Sequence, residues 1–315
     1  MKKVVVIAGP TASGKTALAV ELAQSLNGEI VSADSMQVYR GFDIGTAKAT
    51  PDERRAAVHH MLDVAAPDED YSVARYVNDA AAVCEDILAR GKLPIIAGGT
   101  GLYIDSLLSG RDFAERGEGE SAQLRAELMA EYDERGGEAM LERLRGFDPE
   151  RAAILHPSDK RRIVRAVEIY LLTGRTITKH DAYTKTLPPR FEAARIVLNY
   201  ADRAALYARI DRRVDEMCER GLFDEVAGLL AAGVPEDCTA MQAIGYKEAV
   251  RAIRGGITQR EAAEEIKLAS RRYAKRQLTW FRRWEDALRI SWESAPDLIY
   301  ARQLSTDFIR SRGIS

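Results

Sequence analysis

The 315 residues, 46% hydrophobic and 30% charged, describe a globular chain sized for one large domain with an insertion, or for two domains. No apolar run approaches membrane-spanning length and the first eight residues lead straight into a motif, so neither a transmembrane helix nor a signal peptide is expected. A net charge of −2 excludes a global pull towards nucleic acid and leaves any such attraction to local clusters.

In chain order, residues 4–8 are a β-branched run that predicts a strand. Gly9-Pro10-Thr11-Ala12-Ser13-Gly14-Lys15-Thr16 follows directly, and residues 17–23 are apolar at helical spacing. Strand, G-x-x-x-x-G-K-T loop and helix in that order is the context of a phosphate-binding P-loop. The glycines let backbone N–H groups turn towards an anion, and the helix adds the positive end of its dipole. Lys15 supplies a point charge and the Thr16 hydroxyl a ligand for Mg²⁺. Residues 28–32 predict a second strand, 40–50 a loop, Pro51 a helix start and 60–64 a further strand. Ser72 caps a helix to about Arg90, where Gly91 stops it. Residues 93–97 read as a buried strand, followed by Gly98-Gly99-Thr100-Gly101 and a helix over 102–108. The alternation predicts an α/β fold, a parallel P-loop sheet flanked by helices on both faces.

From about 110 to 186 the pattern changes. Helical periodicity over 121–135, 137–146, 149–155 and 159–173, with no convincing strand, predicts an all-helical insertion domain, acid-rich before residue 150. Strand character returns at 195–199. Helices follow at about 202–219, 222–231 and 245–254, and Thr258 with Glu261 forms a capping box that opens a long helix to about Trp284. Residues 288–291 suggest a last strand. The expected organisation is a P-loop core over 1–110, the helical insertion over 111–190, the core continued over 191–293, and a tail over 294–315 that carries no signal. Cys84, Cys218 and Cys238 are odd in number and lack metal-type spacing, which fits a reducing cytoplasm. No self-complementary apolar stripe argues for a dimer, so a monomer is expected.

Asp34 sits where the second strand ends. Ligand sites in open α/β sheets lie outside the carboxyl ends of the strands, so Asp34 and Lys15 are expected to face one crevice. Asp34 is a candidate general base or Mg²⁺ carboxylate, and Asp-Ser also commonly caps a turn. Thr100 either donates to a phosphate oxygen or caps the next helix. Between Arg271 and Trp284 stand six basic residues and no acid. At 100° per residue, Ile266, Tyr273, Gln277, Trp280 and Trp284 share one face. Arg271, Lys275 and Arg282 lie opposite, and Arg272, Arg276 and Arg283 to one side. An all-positive surface points to contact with a phosphate backbone, with the aromatic residues as core. A second cluster, Lys160-Arg161-Arg162 with Arg165, lies in the insertion. Two such clusters suit one long polyanion better than an ATP-sized ligand.

These motifs form an ordered series: the P-loop, Ser32-Ala33-Asp34-Ser35, Gly41-Phe42-Asp43-Ile44-Gly45-Thr46-Ala47-Lys48, and Gly98-Gly99-Thr100-Gly101-Leu102-Tyr103. His156-Pro157, Arg161-Arg162, Arg165-Ala166 and Glu168 follow, then Ala243-Ile244-Gly245-Tyr246-Lys247 and Lys275-Arg276-Gln277-Leu278-Thr279-Trp280. In this series the chain resembles the tRNA dimethylallyltransferases, over nearly its whole length to about residue 290. The resemblance implies that the loop Gly9, Pro10, Thr11, Ala12, Ser13, Gly14, Lys15 and Thr16 holds dimethylallyl diphosphate rather than a nucleotide. The dimethylallyl group passes to N6 of adenosine 37 of tRNA, just 3′ of the anticodon, and diphosphate leaves. Asp34 is implied as the base, with Lys15, Thr100 and Mg²⁺ on Thr16 stabilising the leaving group, and Arg125 matches an arginine used early in the insertion. Implied tRNA contacts are Asp34, Ser35, Met36, Gln37, Thr100, Arg125, Asp159, Lys160, Arg161, Arg162, Ile163, Gln242, Gly245, Tyr246, Lys247, Lys275, Arg276, Gln277, Thr279, Trp280 and Arg282. Lys160 stands where many relatives carry Pro, and Met36-Gln37 replaces a more apolar pair. No Cys/His set corresponds to the zinc finger of eukaryotic relatives, so the resemblance is to the bacterial form. The alternative is a P-loop kinase of a small metabolite or nucleoside, which would not need two basic clusters.

Overall fold

Strand-forming runs short enough to be covered on both faces are stable only inside a layered fold, and this chain builds one. The computed structural model describes residues 2–110 and 120–314. The first stretch runs β1 (Lys3–Ala8), α1 (Lys15–Ser25), β2 (Gly28–Ser32), α2 (Pro51–Ala56), β3 (His59–His60), α3 (Val73–Ala89), β4 (Leu93–Gly98) and α4 (Gly101–Ser109). After the undescribed residues come α5 (Glu120–Arg145), α6 (Pro149–Ala153), α7 (Lys160–Thr173) and α8 (Ile177–Thr186). The chain then returns through β5 (Glu192–Tyr200), α9 (Arg203–Glu219), α10 (Leu222–Ala231), α11 (Tyr246–Ile253), α12 (Gln259–Phe281), β6 (Leu288–Trp292) and α13 (Leu298–Ser311).

All six strands are parallel, in the order β3-β2-β4-β1-β5-β6. Val4 to Ala8 of β1 are fully buried on both sides, as a central parallel strand requires. Val5, Ile7, Ile95, Ile196 and Leu198 on one face pack with Leu18 and Leu22 of α1 and Ile309 of α13. Each such side chain contributes roughly 1.5–3 kcal/mol of burial. Contacts divide the chain into one unit of residues 1–108 with 190–315 and another of 109–189. The second unit has its own core, in which Leu128, Met140 and Leu144 of α5 meet Ile163 and Val167 of α7. The expected insertion boundary at 111 falls outside the described residues.

Four features differ from the sequence expectation. The strand expected over 60–64 is only His59–His60, because Met61 and Asp63 have φ of 62° and 59° and cannot continue an extended chain. The α8 helix had no periodic signal; it starts on a Thr176 side-chain cap, and Asp148 binds Thr178 within its first turn. Helix α12 stops at Phe281, although Trp284 beyond it stays buried. The signal-free tail is a helix, α13, packed on α1. In agreement with the separate helices expected over 121–135 and 137–146, Gly136, at φ 82°, breaks α5 between them.

Candidate active site

The anion cradle begins with backbone geometry. Gly14 precedes α1 at φ 88° and Ala12 has φ 63°, so the loop alternates in hand as an anion-binding nest does. The Lys15 ammonium donates to the Pro10 carbonyl at 2.7 Å. Burial, and next the charge of Arg213, push Lys15 down from 10.5 to about 7, against a smaller upward pull from Asp34. Arg213 is itself lowered by burial and raised by Asp34. The charges of Lys15, Asp34 and Arg213 are thus coupled, at the crevice that a parallel sheet opens outside the carboxyl ends of its strands. The Ser13 hydroxyl is buried without a hydrogen-bond partner among the described residues.

Asp34 caps its turn, one of the roles open to it in sequence, and leaves one oxygen over. Its Oδ1 accepts from the Met36 N–H at 2.9 Å and the Gln37 N–H at 3.3 Å, which caps the turn. Its Oδ2 has no hydrogen-bond partner among the described residues. The adjoining strand ends are laced together. Thr100 N–H donates to the Ala33 carbonyl at 3.1 Å, and the Ser35 N–H donates to the Thr100 hydroxyl at 3.2 Å. Thr100 thus stands beside Asp34.

Helix α12 closes this crevice from above with a side chain that sequence placed among tRNA contacts. Gln277 is buried; its Oε1 accepts from the Thr11 N–H and its Nε2 donates to the Gly99 carbonyl, each at 3.0 Å. It joins the phosphate loop to the β4–α4 turn. A Cβ on Gly99 would stand 2.1 Å from that Nε2, which is why glycine occupies the turn. The Tyr273 hydroxyl is pushed up to about 12, by burial first and then by Asp34, against smaller downward pulls from Thr100 and Gln277. One turn on, the indole N–H groups of Trp280 and Trp284 both donate to Asp105 of α4, at 2.8 and 2.9 Å.

The remaining candidates separate into exposed and structural groups. Gln37 spends its amide inside the fold, accepting from the Ser32 hydroxyl and donating to the Thr46 and Ala47 carbonyls. Tyr246 is fully buried, and its hydroxyl donates to Glu225 at 2.6 Å. The same carboxylate accepts from the N–H groups of Asp43, Ile44 and Gly45, so two motifs far apart in sequence are one construction. Gly245 starts α11, and Gln242 and Lys247 beside it are exposed, as are Lys275, Arg276, Thr279 and Arg282. Arg282 lines a cavity of about 340 Å³ with Val197 and Asn199, and joins Lys275, Thr279 and Arg203 around a smaller neighbour. The all-positive reading of α12 needs correction at two places. Arg271 is paired with Asp211 of α9 at 2.6 Å, and Arg283 lies over the Trp280 ring and 3.6 Å from Asp105.

In the second unit, Arg125 and Arg165 grip opposite oxygens of the buried Glu168, at 2.6 and 2.8 Å. Arg161 and Arg162 are exposed, whereas Ile163 is core and Lys160 pairs with Asp133 over the Tyr132 ring. Asp159 precedes α7 and accepts from the His156 N–H. Sequence reasoning missed Arg209 and Arg213 of α9, Asp105, Glu225 and Trp292. On α9 the arginines alternate with acids and read as an ordinary solvated face, so no local signal marked them.

The cradle fits a divalent cation shared with phosphate oxygens. The Thr16 hydroxyl and Asp34 Oδ2 have no hydrogen-bond partner among the described residues, and these hold no cluster of three or more His, Cys, Asp or Glu able to cage a metal unaided.

Comparison with known proteins places the chain in a family. The family model described as IPP transferase matches residues 37–284, and one described as Isopentenyl transferase matches residues 2–64. A tRNA dimethylallyltransferase of Thermoanaerobacter sp. (strain X514) is 45% identical over 310 residues, covering 98% of this chain and 96% of its own. The full-length tRNA isopentenylpyrophosphate transferase of Bacillus halodurans superposes with a TM-score of 0.72 at 38% identity, over 99% of this chain and 98% of that one. A eukaryotic dimethylallyltransferase acting on tRNA gives a TM-score of 0.83 at 30% identity, over 100% of this chain and 81% of that one. With the P-loop sheet, the Asp34 crevice and these likenesses over nearly its full length, the chain belongs to the IPP transferase family.

Proposed function

We propose that this protein transfers the dimethylallyl group of dimethylallyl diphosphate to N6 of adenosine 37 in tRNA and releases diphosphate. The observation that carries the reading is Asp34: one carboxylate oxygen is fixed by its own turn, the other is unengaged, and both share a crevice with the Lys15 cradle. The adenine amine is a weak nucleophile because its lone pair is delocalised into the ring. Asp34 Oδ2 accepts one amine proton as the nitrogen–carbon bond forms, which restores electron density to nitrogen. The carbon–oxygen bond to diphosphate breaks in the same event, and the allylic carbon tolerates the partial positive charge. The departing diphosphate is received by the loop N–H groups, by Arg213, and by Lys15, which takes up a proton as the anion arrives. Thr16 would hold Mg²⁺, which would supply further neutralisation of that charge. Thr100 and Tyr273 position the reacting groups beside Asp34.

To reach such a crevice the adenosine must leave its stack, at a cost of a few kcal/mol. Exposed Lys275 and Arg276 on α12, Arg282 just beyond it, and Arg161 and Arg162 on α7, supply compensating contacts to the tRNA backbone, with Arg125 a further tRNA contact. The cysteines are free thiols, and no described helix is long and apolar enough to cross a membrane, which suits a monomeric cytoplasmic enzyme. The kinase alternative is not favoured by the relatives. The test is nucleoside mass spectrometry of an anticodon stem-loop after incubation with dimethylallyl diphosphate and Mg²⁺. One added dimethylallyl unit on adenosine is expected. Unchanged RNA with no diphosphate released would overturn the proposal, and ATP turnover on a small metabolite would revive the kinase.

A further inference from the structure

Two side chains outside the phosphate loop hold it from behind. Arg209 of α9 donates its Nε–H to the Ala12 carbonyl at 3.1 Å. Trp292, the last residue of β6, is buried and donates its indole N–H to the Ser13 carbonyl at 2.9 Å. Neither belongs to the loop's own motif, and Trp292 ends β6 just before the tail over 294–315, for which sequence offered no role.

A trans peptide is planar, so its C=O and the N–H that follows point in opposite directions. Fixing the Ala12 carbonyl therefore aims the Ser13 N–H, and fixing the Ser13 carbonyl aims the Gly14 N–H, away from the braces. Among the described residues neither N–H has a hydrogen-bond partner, although buried backbone donors normally do. The backbone needs such restraint, since Ala12 at φ 63° occupies a conformation that alanine disfavours. Pro296, in the turn after β6, sits 3.6 Å from where a Cβ on Gly14 would stand, and so closes the back of the loop. Helix α13 then anchors this turn, with Leu298, Ala301 and Ile309 in the same core as Leu18 and Leu22 of α1.

We infer that Trp292 and Arg209 are positioning residues for the diphosphate, pre-aiming two loop amides at the anion, and that the carboxyl-terminal segment exists in part to carry this brace. The inference rests on the proposed use of the loop for a prenyl diphosphate. Trp292→Phe removes the donor and keeps most of the ring. Calorimetry with inorganic pyrophosphate and Mg²⁺ is expected to show binding about tenfold weaker in this variant, the cost of one misdirected buried hydrogen bond. The KM for dimethylallyl diphosphate rises in parallel, while the KM for the anticodon stem-loop stays within about twofold. Arg209→Met weakens pyrophosphate binding at low and high salt alike, because lost aim is not screened as lost charge is. Met140→Ala, in the separate core of the second unit, serves as the stability control and leaves pyrophosphate affinity unchanged. Wild-type affinity in Trp292→Phe, an equal loss for both substrates, or the same defect in Met140→Ala would overturn the Trp292 brace. An Arg209→Met defect that vanishes at high salt would overturn the Arg209 brace. Wild-type protein without measurable pyrophosphate binding would overturn the functional reading itself, and this inference with it.

Discussion

Asp34 commits one oxygen to its own turn and leaves the other for the proposed chemistry, and the division sets what substitution does. Asparagine keeps an Oδ1 to accept from Met36 and Gln37 but cannot take a proton. Asp34→Asn is expected to slow single-turnover transfer by about 10²–10⁴-fold, the usual share of a general base, with stem-loop affinity in a filter-binding assay within about twofold. Lys15 makes the second prediction at this scale. Its folded pKa, about 7, lies below the ordinary 10.5, so the unfolded chain binds the proton more tightly. The free protein therefore gains stability from this group as pH rises from about 7 towards 10.5. Anion binding restores the proton, so above about pH 7 pyrophosphate affinity falls as pH rises. Calorimetry at pH 8 in buffers of different ionisation heat is expected to record close to one more proton taken up by wild type than by Lys15→Met.

At the scale of elements, α12 is a clamp before it is a surface. Gln277 bridges Thr11 and Gly99 with one amide, and Trp280 and Trp284 share Asp105. Gly99→Ala drives a methyl into Gln277 Nε2 and is expected to cost about 1–3 kcal/mol in denaturant melts. In a Gln277→Ala background the methyl has room, so the two losses together fall well short of their sum. The periodicity of α12 was legible, and it placed Gln277 on the inner face with Tyr273 and Trp280. Its partners were not legible, because hydrogen bonds to Thr11 and Gly99 span more than 170 residues and follow no local pattern. The strand–loop–helix order at β1 and α1 was equally plain. The tail was not, since α13 owes its burial to α1 rather than to a strong signal of its own.

For the whole molecule, the distribution of charge matters more than its sum. Part of the basic excess read along α12 is consumed internally, and only the unpaired cations remain for a polyanion. Removing Lys275 or Arg282 is expected to flatten the log-affinity against log-salt slope for tRNA by about 0.7–0.9 each. Removing Arg271, whose guanidinium already serves Asp211, leaves the slope unchanged and lowers stability instead. The candidate residues Asp34, Lys15 and Thr100 could be picked out in sequence because they follow strand ends, where a parallel sheet gathers its ligands. Arg209, Arg213 and Trp292 were not, since tertiary contact alone gives them a role. Lys15 has one more consequence. An amine that sheds its proton near neutrality carries a free lone pair, whereas an ordinary lysine at the same pH remains an inert ammonium. The resting enzyme thus carries a nucleophile of its own in the cradle. Acylating reagents and phosphorylated aldehydes would seek it out, and a bound diphosphate would shield it by returning its proton.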